Sequence, residues 1–149
     1  MNPGTAALQV AHTALENQDV NSASGGAMPV HHHMLGRTPS VTERILFPIA
    51  DQALGTRASL VYENVLNPGT IVPLHQHPFE EVIVCTAGVA ECSLNAGPWE
   101  RYEPGSVLII PPNTPHTLRN IGSGLLRQLA FMPTGVNETV WLEDKGSIE

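Results

Sequence analysis

Turn-forming residues interrupt this chain at short intervals, which limits the length of any regular element between residues 41 and 132. Glycine, proline and asparagine favour the backbone angles that tight turns require. They cluster at Asn67–Gly69, Ala87–Gly88, Ala96–Pro98, Glu103–Gly105, Pro111–Asn113 and Gly122–Gly124. Only 14% of the residues are charged and 42% are hydrophobic, with 13 glycines and 13 prolines. This profile favours many short strands over helices and predicts an all-β sandwich or barrel.

The apolar segments between these turns are the predicted strands. They are Arg44–Pro48, Ala58–Leu66, Ile71–His77, Glu81–Thr86, Val89–Asn95, Pro98–Tyr102, Val107–Ile110, His116–Asn120 and Leu125–Met132. The turn at Ala87–Gly88 predicts a hairpin, in which Cys85 and Cys92 do not lie opposite each other. Both cysteines are therefore expected to be reduced, buried thiols, as in a protein of the cytoplasm.

Two histidines in the third predicted strand have the spacing of metal ligands. Side chains two apart on a strand share a face, so His75 and His77 point the same way, roughly 6–7 Å apart. Glu81 has the same parity, beyond Pro78, which allows a local bend. Glu80 competes for the carboxylate role, but its parity places it on the opposite face. The pattern therefore favours Glu81 as a third ligand.

A further histidine, His116, follows the apolar strand Val107–Ile110 and the Pro111–Asn113 turn. Three neutral imidazoles and one carboxylate suit a divalent first-row metal and leave free positions in an octahedron. We expect one divalent transition metal per chain, iron or manganese, with nickel, zinc and copper as alternatives.

These residues form two segments that resemble the paired motifs of the cupin superfamily. The first motif is matched in full, by Gly69, His75, His77, Glu81 and Gly88. The second motif is matched with one exception, by Gly105, Pro111, His116 and Asn120. Asn113 replaces the usual glycine, and asparagine is the next best residue at a positive φ. The resemblance covers about residues 58–132. It implies a double-stranded antiparallel β-barrel, or jelly roll, that holds a metal, and it leaves the reaction open because one fold hosts many chemistries.

The chain divides into an N-terminal extension (1–40), the barrel (41–134) and a C-terminal tail (135–149). The extension carries the run His31–His33, which alternates faces on a strand and so cannot present all three rings to one metal. We interpret the run as a solvated or interface loop, with a lid over the barrel mouth as the alternative. A polar extension and exposed sheet edges are commonly covered by a second subunit, so a homodimer is expected.

Charge and hydropathy restrict the partners. The chain carries 14 acidic and 7 basic residues, a net charge of −7, and only one lysine. Nucleic acid and anionic membranes are therefore not expected as partners. No apolar stretch approaches a membrane span and no secretory signal is evident, so the cytoplasm is the expected location.

The sequence assigns no catalytic acid or base beyond the ligands. Candidate substrate contacts are Tyr62, Phe79, Trp99, Arg127 and Phe131, and Arg127 is of most interest because a guanidinium binds a carboxylate bidentately. The leading interpretation is an Fe(II)-type dioxygenase of a small oxygenated or carboxylated substrate. The alternatives are a redox-silent isomerase, cyclase or lyase, and a cupin that binds a small molecule without turnover.

Overall fold

The structure is a computed structural model that describes residues 38–39 and 44–144. The run His31–His33 and most of the predicted extension lie outside the described residues. Within residues 44–144, ten strands and one short 3-10 helix follow one another. They are β1 (Arg44–Ala50), the 3-10 helix (Gln52–Leu54), β2 (Leu60–Leu66), β3 (Ile71–Gln76), β4 (Glu81–Ala87), β5 (Ala90–Leu94), β6 (Glu100–Tyr102), β7 (Val107–Ile110), β8 (His116–Asn120), β9 (Leu126–Met132) and β10 (Val140–Trp141).

The strands form two five-stranded antiparallel sheets. Sheet one has the order β1-β2-β9-β4-β7, and sheet two has the order β10-β3-β8-β5-β6. Neighbouring strands are mostly distant in sequence, which is the pattern of a double-stranded jelly-roll barrel. The predicted all-β barrel is therefore confirmed, and nine of its ten strands overlap the nine predicted segments.

The core lies between the inner faces of the two sheets. Burial alternates along β9, where Leu126, Gln128, Ala130 and Met132 are buried and the residues between them are more exposed. This period of two is what a strand with one buried face requires. The inner residues of the other strands, from Leu60 of β2 to Leu118 of β8, join the same apolar cluster.

The predicted hairpin at Ala87–Gly88 is wrong. β4 belongs to sheet one and β5 to sheet two, so this turn carries the chain from one sheet to the other. Gly88 has φ 89°, and its backbone lies so close to β9 that an added Cβ would be 2.6 Å from the Leu125 carbonyl oxygen. Cys85 and Cys92 are both free and buried, as predicted.

One strand was not predicted at all. β10 lies beyond residue 134, in the segment interpreted as a tail, and pairs with β3 through Val140↔Gln76 and Trp141↔His75. The division of the chain at residue 134 stays a prediction, but Val140–Trp141 are part of sheet two. Within the described residues, no helix has the length and apolar character needed to cross a membrane.

Candidate metal centre

The four predicted ligands come together in the barrel interior from both sheets. His75 on β3 pairs in register with His116, the first residue of β8, and a bulge between Val72 and His75 adjusts the strand there. His75 and His116 thus lie on sheet two, and His77 follows β3 directly. Glu81, the first residue of β4, faces them from sheet one. Glu80 is exposed on the other side, as its parity predicted.

The ligand atoms are close enough for one ion. One candidate ligand atom from each of the four residues lies within 4.8 Å of the others. His116 Nε2 is 3.1 Å from Glu81 Oε2, and His77 Nε2 is 3.6 Å from the same oxygen. The ring centroids of His75 and His116 are 4.1 Å apart. All four side chains are buried.

Each histidine is fixed by a backbone carbonyl behind it. His75 Nδ1 donates to Pro73 O at 2.7 Å, His77 Nδ1 to Glu138 O at 2.9 Å, and His116 Nδ1 to Thr114 O at 2.8 Å. A carbonyl only accepts, so each Nδ1 carries a hydrogen, and Nε2 of the neutral ring is then the nitrogen with the lone pair. Outer hydrogen bonds of this kind orient the imidazoles of metal sites. All three rings therefore have the tautomer that ligation through Nε2 requires.

The electrostatics of the site favour a neutral His75. Burial, followed by the neighbouring His116, lowers the pKa of His75 to about 3, although the hydrogen bond to Pro73 opposes this shift. His77 and Arg44 lower it further. His75 is thus uncharged at neutral pH, which is the form that binds a metal.

Two of the inward atoms are left unsatisfied by the protein. Glu81 Oε2 and His116 Nε2 are buried, and neither has a hydrogen-bond partner in the part of the chain that the structure describes. Buried polar atoms are seldom left without a partner, since each costs free energy. A divalent cation among these four residues would satisfy both atoms, so the donor set fits a metal.

The two cupin-like motifs are tied together next to the site. Asn113 has φ 56°, so the asparagine adopts the left-handed conformation predicted for it. Its backbone N–H donates to His77 O at 2.7 Å. The turn before β8 is therefore fixed to the segment that carries His77, which sets the position of His116 relative to that ligand.

A cavity of about 40 Å³ opens beside the ligands. This volume has room for about three waters, and hence for a substrate of a few heavy atoms. Its wall includes polar groups from β1, β2 and the loop before β10. The lining side chains other than the ligands are Arg44, Leu46, Tyr62, Asn64, Val72, Ile83, Leu118, Asn137, Thr139 and Trp141.

Arg44 and Trp141 were missed by the sequence reasoning. The Arg44 guanidinium lies over the Trp141 ring, 5.2 Å from its centroid, and the Trp141 ring is 4.9 Å from that of His75. The sequence did offer a signal for each residue. Arg44 is a basic residue at the start of an apolar strand, and Trp141 is a large aromatic residue in the segment interpreted as a tail.

Two of the predicted substrate contacts lie near the centre. Tyr62 is buried and lines the cavity, and its hydroxyl donates to Met132 Sδ at 3.5 Å. Burial raises the pKa of Tyr62 above its ordinary value, and Glu81 adds to the shift, so this phenol keeps its proton. Phe79 stacks on His77 with centroids 5.9 Å apart but does not line the cavity.

The other three predicted contacts lie outside the barrel interior. Arg127 and Phe131 alternate with the buried residues of β9 and so face outward, and Arg127 Nη1 is 3.1 Å from Glu63 Oε1. Trp99 is 38% exposed and stacks under Arg119, whose Cζ is 4.1 Å from the ring centroid. The basic residue in the cavity wall is therefore Arg44, and strand parity excludes Arg127 from it.

A β-barrel with three histidines and one glutamate at these positions is the arrangement of the cupins, and comparison with known proteins agrees. Residues 63–132 match the family model described as Cupin domain. This match covers 70 of the 149 residues and identifies residues 63–132 as a cupin domain. No curated protein matches it.

Several solved structures share the fold. An uncharacterized conserved protein with a double-stranded β-helix domain from Klebsiella pneumoniae is 22% identical with a TM-score of 0.63, over 72% of this chain and 90% of that one. Oxalate decarboxylase from Bacillus subtilis at pH 4.6 is 21% identical with a TM-score of 0.60, over 65% of this chain and 27% of the decarboxylase. Lactobacillus farciminis oxalate decarboxylase, in a formate complex, is 22% identical with a TM-score of 0.60, over 65% of this chain and 30% of the decarboxylase. The chain thus spans less than a third of either decarboxylase, and these likenesses establish the fold alone.

Proposed function

We propose that this cupin is a metal-dependent enzyme that acts on a small carboxylated, chelating substrate, and that it is a dioxygenase with Fe(II) or Mn(II) at the centre. One observation carries the proposal. The Nε2 atoms of three histidines and the Glu81 carboxylate converge beside a small cavity that the Arg44 guanidinium also lines. A bound Fe(II) or Mn(II) would supply a Lewis acid with open positions and redox chemistry with dioxygen.

Arg44 is the group that recognises the substrate in this proposal. Its guanidinium is planar, stays charged at any working pH, and matches a carboxylate with two parallel N–H donors. Trp141 packs against the guanidinium and against His75, so it holds the cation in the same wall as the ligands. A carboxylate on Arg44 would orient the remaining oxygen atoms of the substrate toward the centre.

Two neutral polar groups add selectivity. Asn64 Oδ1 is buried without a hydrogen-bond partner among the described residues, so it is an acceptor for a substrate hydroxyl. The Tyr62 hydroxyl retains its proton and has only the weak acceptor Met132 Sδ, so it is a donor for a substrate oxygen. These two groups favour a hydroxy acid or an oxo acid over a hydrocarbon.

The small volume favours a second candidate, a redox-silent lyase of a small dicarboxylate. A cavity with room for about three waters suits only the smallest dicarboxylates. Structures of oxalate decarboxylases from two bacteria share the fold, and one from Bacillus subtilis is described by its Mn(II) centres. That likeness supports the candidate only at the level of the fold.

Oxygen consumption separates the candidates. The protein is loaded in turn with Fe(II), Mn(II) and Zn(II) and is offered hydroxy acids, oxo acids, dicarboxylates, diketones and catechols at an oxygen electrode. The dioxygenase predicts oxygen uptake with Fe(II) or Mn(II) and none with Zn(II). Turnover without oxygen that survives with Zn(II) identifies a lyase, isomerase or cyclase, and saturable binding without product identifies a binding cupin.

A matched pair of arginine variants tests the role of Arg44 in whichever reaction is found. Arg44→Ala should raise KM for the carboxylated substrate by about 10–100-fold, because a charge-assisted bidentate contact contributes on the order of 1.5–3 kcal/mol. Arg127→Ala, on the outward face, should leave KM unchanged. Equal KM values in the two variants, with metal content intact, contradict the proposed role.

A further inference from the structure

A second, larger cavity adjoins the one beside the metal ligands. Its volume is about 330 Å³, against about 40 Å³ for the cavity at the centre. Leu46, Tyr62 and Asn137 line both cavities, so the two share a wall. We call the larger cavity, whose lining runs from Leu46 and the 3-10 helix across β2 to residues 135–137, the groove.

The groove is built by the backbone on both of its sides. Leu60 and Tyr62, alternate residues of β2, are buried in it. One side is the 3-10 helix, and the other is the loop that follows β9. The Gln52 N–H donates to the Gly135 carbonyl oxygen at 2.8 Å and ties the two sides together. The groove therefore does not need a ligand in order to form.

The chemistry of the groove suits an uncharged apolar group. Pro48, Ala53 and Val136 are exposed apolar residues of its lining, and Val136 is 44% exposed. Asp51 also lines it, and its carboxylate accepts a hydrogen bond from the Leu54 N–H at 3.1 Å. A carboxylate at this position repels a second anion. A mostly apolar cleft with a few polar groups is the usual form of a small-molecule site.

From the shared wall we infer that the substrate has two parts, a chelating carboxylated head at the metal centre and an uncharged apolar tail in the groove. This inference rests on the proposed function, which supplies the head group. The cavity of about 40 Å³ holds only a few heavy atoms, whereas the groove has room for on the order of twenty water-sized groups. A longer substrate enters the groove by passing Tyr62 and Asn137.

The other large cavity offers no such continuation. It has a volume of about 390 Å³ and is lined mainly by the edge strands β6 and β7. None of its described lining residues also lines the cavity beside the metal ligands. A substrate held at the centre therefore extends into the groove and not into this cavity.

Isothermal titration calorimetry with two acids that share one head tests the inference. The probes are 2-hydroxypropanoate and 2-hydroxyheptanoate, which differ by four methylene groups, and the protein is loaded with Zn(II) so that no oxygen chemistry intervenes. Burial of one methylene group corresponds to about a three- to four-fold change in affinity. The longer acid should have a dissociation constant at least about 10-fold lower, the effect of burying two of the four groups.

Two variants act on the groove from its exposed side. Ala53→Phe fills it from the 3-10 helix, and Val136→Asp places a charge beside the tail. Each should reduce the ratio of the two dissociation constants to less than about 3-fold, because the tail is no longer buried against apolar groups. The matched controls, Ala58→Phe and Ile121→Asp, change exposed residues that line neither cavity and should keep the wild-type ratio.

Equal dissociation constants for the two acids in the wild type would overturn the inference and would mean that the groove serves something other than the substrate. So would failure of the longer acid to bind, or a ratio that both groove variants leave unchanged. Failure of the proposed function has a different signature. In that case 2-hydroxypropanoate binds the Zn(II)-loaded protein no more tightly than the metal-free protein, whatever the effect of chain length.

Discussion

His116 Nε2 lies 3.1 Å from Glu81 Oε2, although the two residues start strands in opposite sheets. The hydrogen bond from Asn113 N–H to His77 O holds the turn before β8, and the carbonyl of Thr114 holds the His116 ring. The ligand geometry is therefore built largely by backbone groups, which do not depend on the presence of an ion. We expect the site to be preorganised in the metal-free protein.

Among the glycine turns, the one at Gly88, where the chain crosses between the sheets, should be the least tolerant of substitution. Gly88→Ala puts a Cβ 2.6 Å from Leu125 O and 2.8 Å from Leu126 Cα, at a positive φ. Gly105 has a similar φ of 92°, but a Cβ there meets nothing within 4 Å. Gly105→Ala should lower the free energy of unfolding by about 1–2 kcal/mol, the cost of the left-handed conformation. Gly88→Ala should cost roughly 1–3 kcal/mol more, because the backbone must shift. Urea denaturation measures both, and equal costs would contradict this account of the crossing.

The motifs predicted which four side chains come together because strand parity and turn chemistry are local properties. His75, His77 and Glu81 share a face by parity, and Asn113 adopts the positive φ that its position requires. The hairpin prediction failed because the same two-residue turn signal serves a hairpin and a crossing between sheets. Only the long-range pairing of β4 with β9 and β7 distinguishes them.

The residues of the cavity wall could not be predicted from local sequence, because their positions also depend on long-range strand pairing. β10 has two residues, too few to show a period, and its position comes from pairing with β3. Arg44 and Arg127 are both basic residues on strands, and the sequence could not say which one faces inward. Register places Arg44 opposite Leu66 and Arg127 opposite Val65, neighbouring positions of β2 that face opposite sides.

The packing of Trp141 on His75 should matter for metal affinity. Trp141→Ala removes the ring that packs on His75 and lies under the Arg44 guanidinium, so metal affinity should fall by about 10-fold. Trp99→Ala is the matched control, since Trp99 also packs on an arginine but lies far from the ligands on the outward face. Competition with a fluorescent chelator measures both affinities. Equal values for the two variants would count against a role for Trp141 in the site.

The stability of the metal-free protein should fall with acidity through His75. Burial lowers the pKa of folded His75 to about 3, whereas the unfolded residue titrates near its ordinary value of 6.5. Between these two values the unfolded state binds more protons, so the free energy of unfolding decreases as pH falls from 6.5 toward 3. The slope from this one group is at most about 1.4 kcal/mol per pH unit.

Urea midpoints of metal-free wild type and His75→Gln, measured at intervals from pH 7 to pH 4, isolate this contribution. The difference in stability between the two proteins should shrink or reverse as pH falls, because glutamine cannot take up a proton. A difference that stays constant over this range would show that His75 titrates normally in the folded state.

The central claim is that His75, His77, Glu81 and His116 hold one divalent ion. The direct test is metal analysis after anaerobic loading with Fe(II) or Mn(II) and removal of excess ion, on wild type, His77→Ala and the control His33→Ala. The account predicts close to one ion per chain in wild type and in His33→Ala, and little metal in His77→Ala, which loses one of four ligands. Equal and negligible metal in all three proteins would contradict it.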